Sequence, residues 1–286
     1  SKKTLIYVIA ILLVINLITI FFATKPFSTP YNEVELASVG EVSIERQQLW
    51  DELEKRFGKE VLSDLIDEEV IRQIASEYDI SVSEKELETE LTLIKAKYGS
   101  YDEQYLWNER DWEEQIERKI LLEKILVQSV QIPKNAAEEA YNANKGRYTV
   151  EKTYHLSHIV VEDKETAQSL YEQLQGGASF GTLALEQSMD VTSAFHEGDI
   201  GYINEEQTRY PSYFKQATKL KVGQYSKPFK IDEGYALVYV HELIKAKTFS
   251  LKEVKSMIER ELALEEIDDA ITASYFWDEL GVKWNF

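Results

Sequence analysis

The period of the apolar residues changes twice along this chain, and those two changes limit the folds open to it. From about Glu33 to Tyr148 the apolar positions recur every three to four residues, as one face of a helix requires. Leu49, Trp50, Leu53 and Phe57 share such a face and stop at Gly58, and Val61, Leu62, Leu65, Ile66, Val70 and Ile74 repeat it. The run SEKE, Ser83 to Glu86, has the serine and glutamate of a capping box, with Leu87, Leu91, Ile94 and Tyr98 on one face after it. A further helix carries Trp112, Ile116, Ile120 and Ile125 and ends before Pro133.

At Tyr148 the texture switches. TYHLSHIVV, Thr153 to Val161, reads as a β-strand. A helix follows from near Asp163 to the Gly176-Gly177 pair, with Ala167, Leu170, Tyr171 and Leu174 inward. Ser179 opens a shorter helix containing Phe180, Leu183 and Ala184. Then come EGDIGYI (197–203), a helical run near Ser212 to Leu220, KVGQYSKPF (221–229) and the apolar strand YALVYVHEL (235–243). After Thr248 the helical period returns, opened by a second capping box at Ser250 and Glu253, with Val254, Met257, Leu264, Ile267 and Ile271 on one face. The fold class is α+β: a compact α+β domain over 149–247, inserted between a helical segment over 32–148 and a C-terminal helix over 248–286 that packs back on it.

Ahead of these lies TLIYVIAILLVINLITIFFA, Thr4 to Ala23, about twenty residues with one side-chain amide (Asn16) and no charge. At ~1.5 Å of rise per residue, a helix of this length crosses a hydrocarbon core of ~30 Å. Lys2 and Lys3 before it favour an N-terminus inside and the bulk of the chain outside. Phe21, Phe22 and Ala23 do not make a small-residue cleavage site, so residues 1–31 read as an uncleaved signal anchor followed by a proline-containing linker. The expectation is a single-pass protein of the cell membrane.

The net charge of −19 argues against nucleic acid as a partner, because phosphate recognition needs clustered Lys and Arg. With no cysteine, disulfides, thiolate metal sites and a cysteine nucleophile are all excluded. His196 and His241 have no companions at metal-ligand spacing, so neither a metal nor another cofactor is expected. The strand over 153–161 nevertheless carries two of the four histidines. Odd spacing puts their rings on opposite faces, His158 with Tyr154, Leu156 and Val160, and His155 with Thr153 and Ser157. An imidazole among apolar neighbours needs a hydrogen-bond partner or a task.

LSHIVV, ASFGTLALEQSMD, EGDIGYI, KVGQYSKPF and DEGYALVYV follow one another in the order and at the spacing found in parvulin-type peptidyl-prolyl isomerases, which this region resembles. The flanks, ASVGEVSIERQQL and the run EVLSDLIDEEVIRQIASEYDISVSEKELETEL, resemble the helical chaperone segments of foldases of the PrsA and PpiD kind. The resemblance implies that His158 belongs to the active site and faces Asp190. It further implies a hydrophobic shelf for the prolyl ring, with Ile200 as its first member, Thr208 where a methionine is usual, and Tyr213 or Phe214 as the aromatic. The family's second histidine is replaced by Ala236, and Ala236→His is expected to raise the rate. The loop EDKET lacks the basic cluster of phosphate-directed parvulins. The function so implied is a membrane-anchored extracytoplasmic foldase that isomerises prolyl bonds in unfolded secreted or envelope proteins. The alternative is a holdase whose parvulin-like domain only binds such clients. The aromatic-rich run from Tyr98 to Trp112 either lines a client groove or staples two helices.

Overall fold

The computed structural model describes residues 34–98, 109–206, 211–267 and 272–286. The apolar run over 4–23, Trp107, Thr208 and Ile271 lie outside the described residues. No helix among the described residues is long and apolar enough to cross a membrane. The chain separates into two compact units, one reaching Ile66 and including Lys283–Phe286, the other Asp67–Val282.

The first unit corrects the expectation of helix from Glu33 onward. Strands β1 (Glu35–Val39) and β2 (Val42–Glu45) form an antiparallel hairpin, turning at Gly40. Valines and isoleucine at alternate positions suit a pleated ribbon, and the two short strands outweigh the helical period of their neighbours. Helix α1 (Arg46–Glu77) then runs for 32 residues without a break at Gly58. A glycine ends a helix only where the backbone turns left-handed, and Gly58 stays helical. The space beside it is filled by the ring of Phe286, 2.8 Å from where a side chain would begin. Leu49, Trp50, Leu53, Phe57, Val61 and Leu65 remain exposed along the first two-thirds of α1.

In the second unit, α2 (Glu84–Tyr98), α3 (Glu109–Leu126), α4 (Ala136–Ala143) and the C-terminal α5 (Leu251–Glu265) pack together although about 125 residues separate α3 from α5. Leu91 of α2 meets Trp112, Ile116 and Ile120 of α3 in one apolar cluster, so Trp112 is a staple between helices. Leu93 and Ala96 of α2, Ala137 of α4 and Val254 and Ile258 of α5 share another with Tyr148, Val150, Tyr202 and Ile244. The box at Ser250 forms: its backbone N–H and hydroxyl both donate to the Glu253 carboxylate, at 2.8 and 2.7 Å. The one at Ser83 forms only in part. Its hydroxyl accepts from the Glu86 N–H at 3.3 Å, but the Glu86 carboxylate is taken by Lys124, Ser256 and Arg260.

Between these helices lies a four-stranded antiparallel sheet. Its members are β3 (Thr153–Val161), β4 (Asp199–Asn204), β5 (Phe229–Ile231) and β6 (Gly234–Ile244), in the spatial order β4-β3-β6-β5. A two-residue pairing of Thr149–Val150 with Lys247–Thr248 closes its base. Alternation along β3 decides what each face meets. Ile159 and Val161 pack with Leu237 under α6 (Lys164–Gln175) and α7 (Phe180–Gln187), through Leu170, Leu174, Phe180 and Leu183. Tyr154 and Leu156 pack with Val238 and Val240 on the other face, under Tyr213, Phe214 and Ala217 of α8 (Pro211–Ala217). His158 is 2 % exposed and belongs to that second face, as its even spacing from Tyr154 requires.

Candidate active site

The site is built where the loop after α7 crosses the end of β3. The Ser188 hydroxyl accepts from the Val160 N–H at 3.2 Å, and the Met189 N–H donates to the Val160 carbonyl at 2.7 Å. These bonds stitch the loop to the strand and bring the next residue, Asp190, beside His158. Asp190 also caps the four-residue helix α9 (Val191–Ala194), with one carboxylate oxygen 3.5 Å from the Ser193 N–H. Its other oxygen lies 2.8 Å from His158 Nε2 and accepts from the Ser193 hydroxyl at 2.9 Å. Capping and facing the histidine are thus two duties of one side chain.

The backbone of His158 is held as closely. Its N–H donates to the Gly198 carbonyl at 2.7 Å. Gly198 has φ +80°, and a Cβ there would stand 2.3 Å from the His158 carbonyl oxygen, so only glycine allows this approach. At the far side of the ring, Nδ1 lies 3.1 Å from the hydroxyl of the buried Tyr213. A carboxylate can only accept, so in the neutral imidazole the proton is assigned to Nε2 and Nδ1 accepts from Tyr213. The hydrogen bond from His158, reinforced by Ser193, overrides partial burial and holds the Asp190 carboxyl down at about 2.

Over this triad opens a cavity of about 300 Å³, lined by His158, Val160, Met189, Asp190, Tyr213, Ile231 and Glu233. Its wall is apolar on the Val160, Met189 and Ile231 side and carries a carboxylate beside the histidine. That combination can hold a small saturated ring and set a negative charge against a neighbouring amide. No lysine or arginine is among these lining residues.

Of the residues singled out in the sequence, His158, Asp190 and Tyr213 come together here. Phe214 is in the core behind, edge-on to Tyr154 with ring centroids 5.7 Å apart, and Ile200 packs against that same core. Thr208 lies outside the described residues. Ala236 is fully buried on the His158 face of β6, directly opposite Val160 on one side and Phe229 on the other. Ala236 being fully buried, an imidazole at 236 would have to displace its neighbours on that face of the sheet. Sequence reasoning missed Ser193, Met189, Ile231 and Glu233. The first two flank the aspartate, and the last two lie beside the turn of DEGYALVYV, so proximity to recognised motifs was their signal. His155, on the opposite face, is satisfied by Asp199 at 2.9 Å and by stacking on Tyr202, while His241 reaches the Ser157 hydroxyl at 2.7 Å.

Residues 132–256 match the PPIC-type peptidyl-prolyl isomerase domain. YacD of Bacillus subtilis (strain 168) is 36% identical over 251 residues, spanning 87% of this chain and 84% of that protein. The chain belongs to the parvulin-type peptidyl-prolyl isomerases. Among parvulin-type relatives, the foldase protein PrsA of Geobacillus kaustophilus is 32% identical over 234 residues, covering 81% of this chain and 78% of its own length. A crystal structure of PrsA from Bacillus anthracis is 27% identical, covers 79% of this chain and all of its own, and superposes with a TM-score of 0.33. This parvulin is accordingly a foldase with peptidyl-prolyl isomerase activity, built from a helical part and a parvulin domain.

Proposed function

We propose that the cavity over His158 is the prolyl site of a membrane-anchored, extracytoplasmic foldase acting on unfolded secreted or envelope proteins. The observation that carries this reading is His158 clamped between Asp190 and Tyr213 at the wall of a cavity whose other side is formed by Val160, Met189 and Ile231. The amide bond to proline rotates over a barrier of ~18–20 kcal/mol. An acceleration of ~10⁴ requires only ~5.5 kcal/mol, with no bond to the protein and no net proton transfer. The apolar wall grips the prolyl ring and strips water from its amide, which favours the twisted, less resonance-stabilised geometry. The Asp190 carboxylate biases the amide electrostatically, and His158 orients that carboxylate. Tyr213 seats the ring, with Phe214 and Ile200 supporting it from behind.

In this reading the domain over 149–247 is inserted into a helical chaperone domain made of 32–148 and 248–286. The core that α2 and α4 share with α5 supports such a division. The apolar run over 4–23 serves as the single-pass anchor, and the remainder stands outside the membrane. The test is a proline-limited refolding assay with the chain from about Asn32 onward. The reading expects acceleration that His158→Ala and Asp190→Ala each reduce by at least about tenfold. Suppressed client aggregation with no acceleration makes the protein a holdase, and acceleration untouched by both substitutions moves the site elsewhere.

A further inference from the structure

We propose that the Tyr213 hydroxyl is the positioning group of this site, fixing the ring orientation of His158 through Nδ1, while the Tyr213 ring forms part of the cavity wall. The inference rests on the cavity being the prolyl site. Both side chains are 2 % exposed, so neither relies on water for its hydrogen bonds. On the Nε2 side His158 meets two oxygens of one short segment, Asp190 Oδ2 at 2.8 Å and Ser193 Oγ at 2.9 Å. On the Nδ1 side the Tyr213 hydroxyl stands at 3.1 Å. The Asp190 carboxylate at Nε2 calls for the proton on that nitrogen, but both of its contacts lie on one edge of the ring. A phenol donating to Nδ1 holds the opposite edge, so the imidazole is fixed from both sides in the plane that aims Nε2–H at the carboxylate.

The phenol is itself aimed. Its ring meets Phe229 edge-on at 5.4 Å and 88°, and meets the His158 ring at 5.5 Å and 67°. Phe214 and Ala217 of the same helix lie buried in the core that it joins. Ala236, on the same face of the sheet, offers only a methyl group. A prolyl ring pressed against the face of Tyr213 therefore leans on the residue that orients His158. Occupancy of the cavity and the geometry of the His158–Asp190 pair become coupled through one side chain.

The experiment is Tyr213→Phe in the full chain held in detergent micelles, read in two ways. Imidazole ¹⁵N spectra, with His158→Ala to assign the signal, report the tautomer. Exchange NMR on a short proline peptide reports kcat and KM. The expected result is an Nε2–H signature for His158 in which the unprotonated Nδ1 resonance moves in Tyr213→Phe as its hydrogen bond is lost, with kcat falling about tenfold and KM within about twofold, since the ring of the wall is kept. An unchanged His158 signature overturns the inference, as does a raised KM with kcat intact, which leaves Tyr213 as wall alone. A wild-type chain that does not isomerise the peptide overturns the prolyl-site reading instead, and the spectra then decide the positioning role separately.

Discussion

Replacing Arg260 with methionine should separate the two halves of this foldase. Arg260 is 3 % exposed on α5, and its guanidinium holds Glu90, together with Glu123 at 2.6 Å and Glu86 at 3.1 Å. All three partners lie on α2 and α3, so one side chain ties the helix after the sheet to the helices before it. Methionine fills similar volume but leaves Glu90, 4 % exposed, as a buried carboxylate that has lost its main cation. Breaking a buried pair from one side costs ~3–5 kcal/mol. For a unit of this size that corresponds to a fall in Tm of about 10 °C.

The deficit should depend on pH in a fixed direction. Burial, opposed by Arg260, already holds the Glu90 carboxyl above its ordinary 4.5. A group that binds its proton more tightly when folded stabilises the native state in acid and withdraws that support as pH rises through the raised value. Without the arginine nothing of similar strength opposes burial, so the deficit is smallest near pH 5 and grows toward pH 8. Urea unfolding at the two pH values measures it. Short proline peptides should still be isomerised at low denaturant, because no partner of Arg260 belongs to the sheet or to the His158 cavity, while suppression of client aggregation is lost. A stability change below about 1 kcal/mol, or isomerase activity falling in step with chaperone activity, refutes the reasoning.

Gly198→Ala forces a methyl group toward the His158 carbonyl at a positive φ, and should cost at least ~1–3 kcal/mol and reduce isomerisation, both visible in paired unfolding and peptide assays. Ala236→His overpacks a fully buried position and should lower the unfolding free energy by ~1–3 kcal/mol in unfolding experiments, without raising the rate. Asp190 ionises at about 2 when folded, against an ordinary 3.8. Its contribution is therefore complete above pH 3.8 and lost as pH falls toward 2, so the stability gap between wild type and Asp190→Asn should be flat from pH 5 to 8 and close only below about 4.

Much of the site was legible because its parts are local. The Ser188–Asp190 segment reaches its strand through bonds that neighbouring residues make, and the alternation of β3 puts His158 and His155 on opposite faces before any partner is known. The capping box at Ser250 depends on residues three apart and formed as expected, whereas that at Ser83 was overridden because Glu86 met a buried guanidinium 174 positions away. The hairpin of β1 and β2 was missed since four or five residues are too few to display a period against the long helix that follows.

From its sequence alone, this chain declared an α+β fold, helices on either side of a sheet, and a histidine–aspartate pair in a parvulin setting. The fold class and the flanking helices follow from period and spacing, which are properties of neighbouring residues, and the pair is what the resemblance of the short motifs to the parvulin family implies. Only the tertiary structure decided that Tyr213 and not a second histidine meets Nδ1, that Gly58 continues a helix, and that Arg260 binds three glutamates on two other helices. Those outcomes depend on which distant side chains share a buried space, and no local pattern in the chain records that.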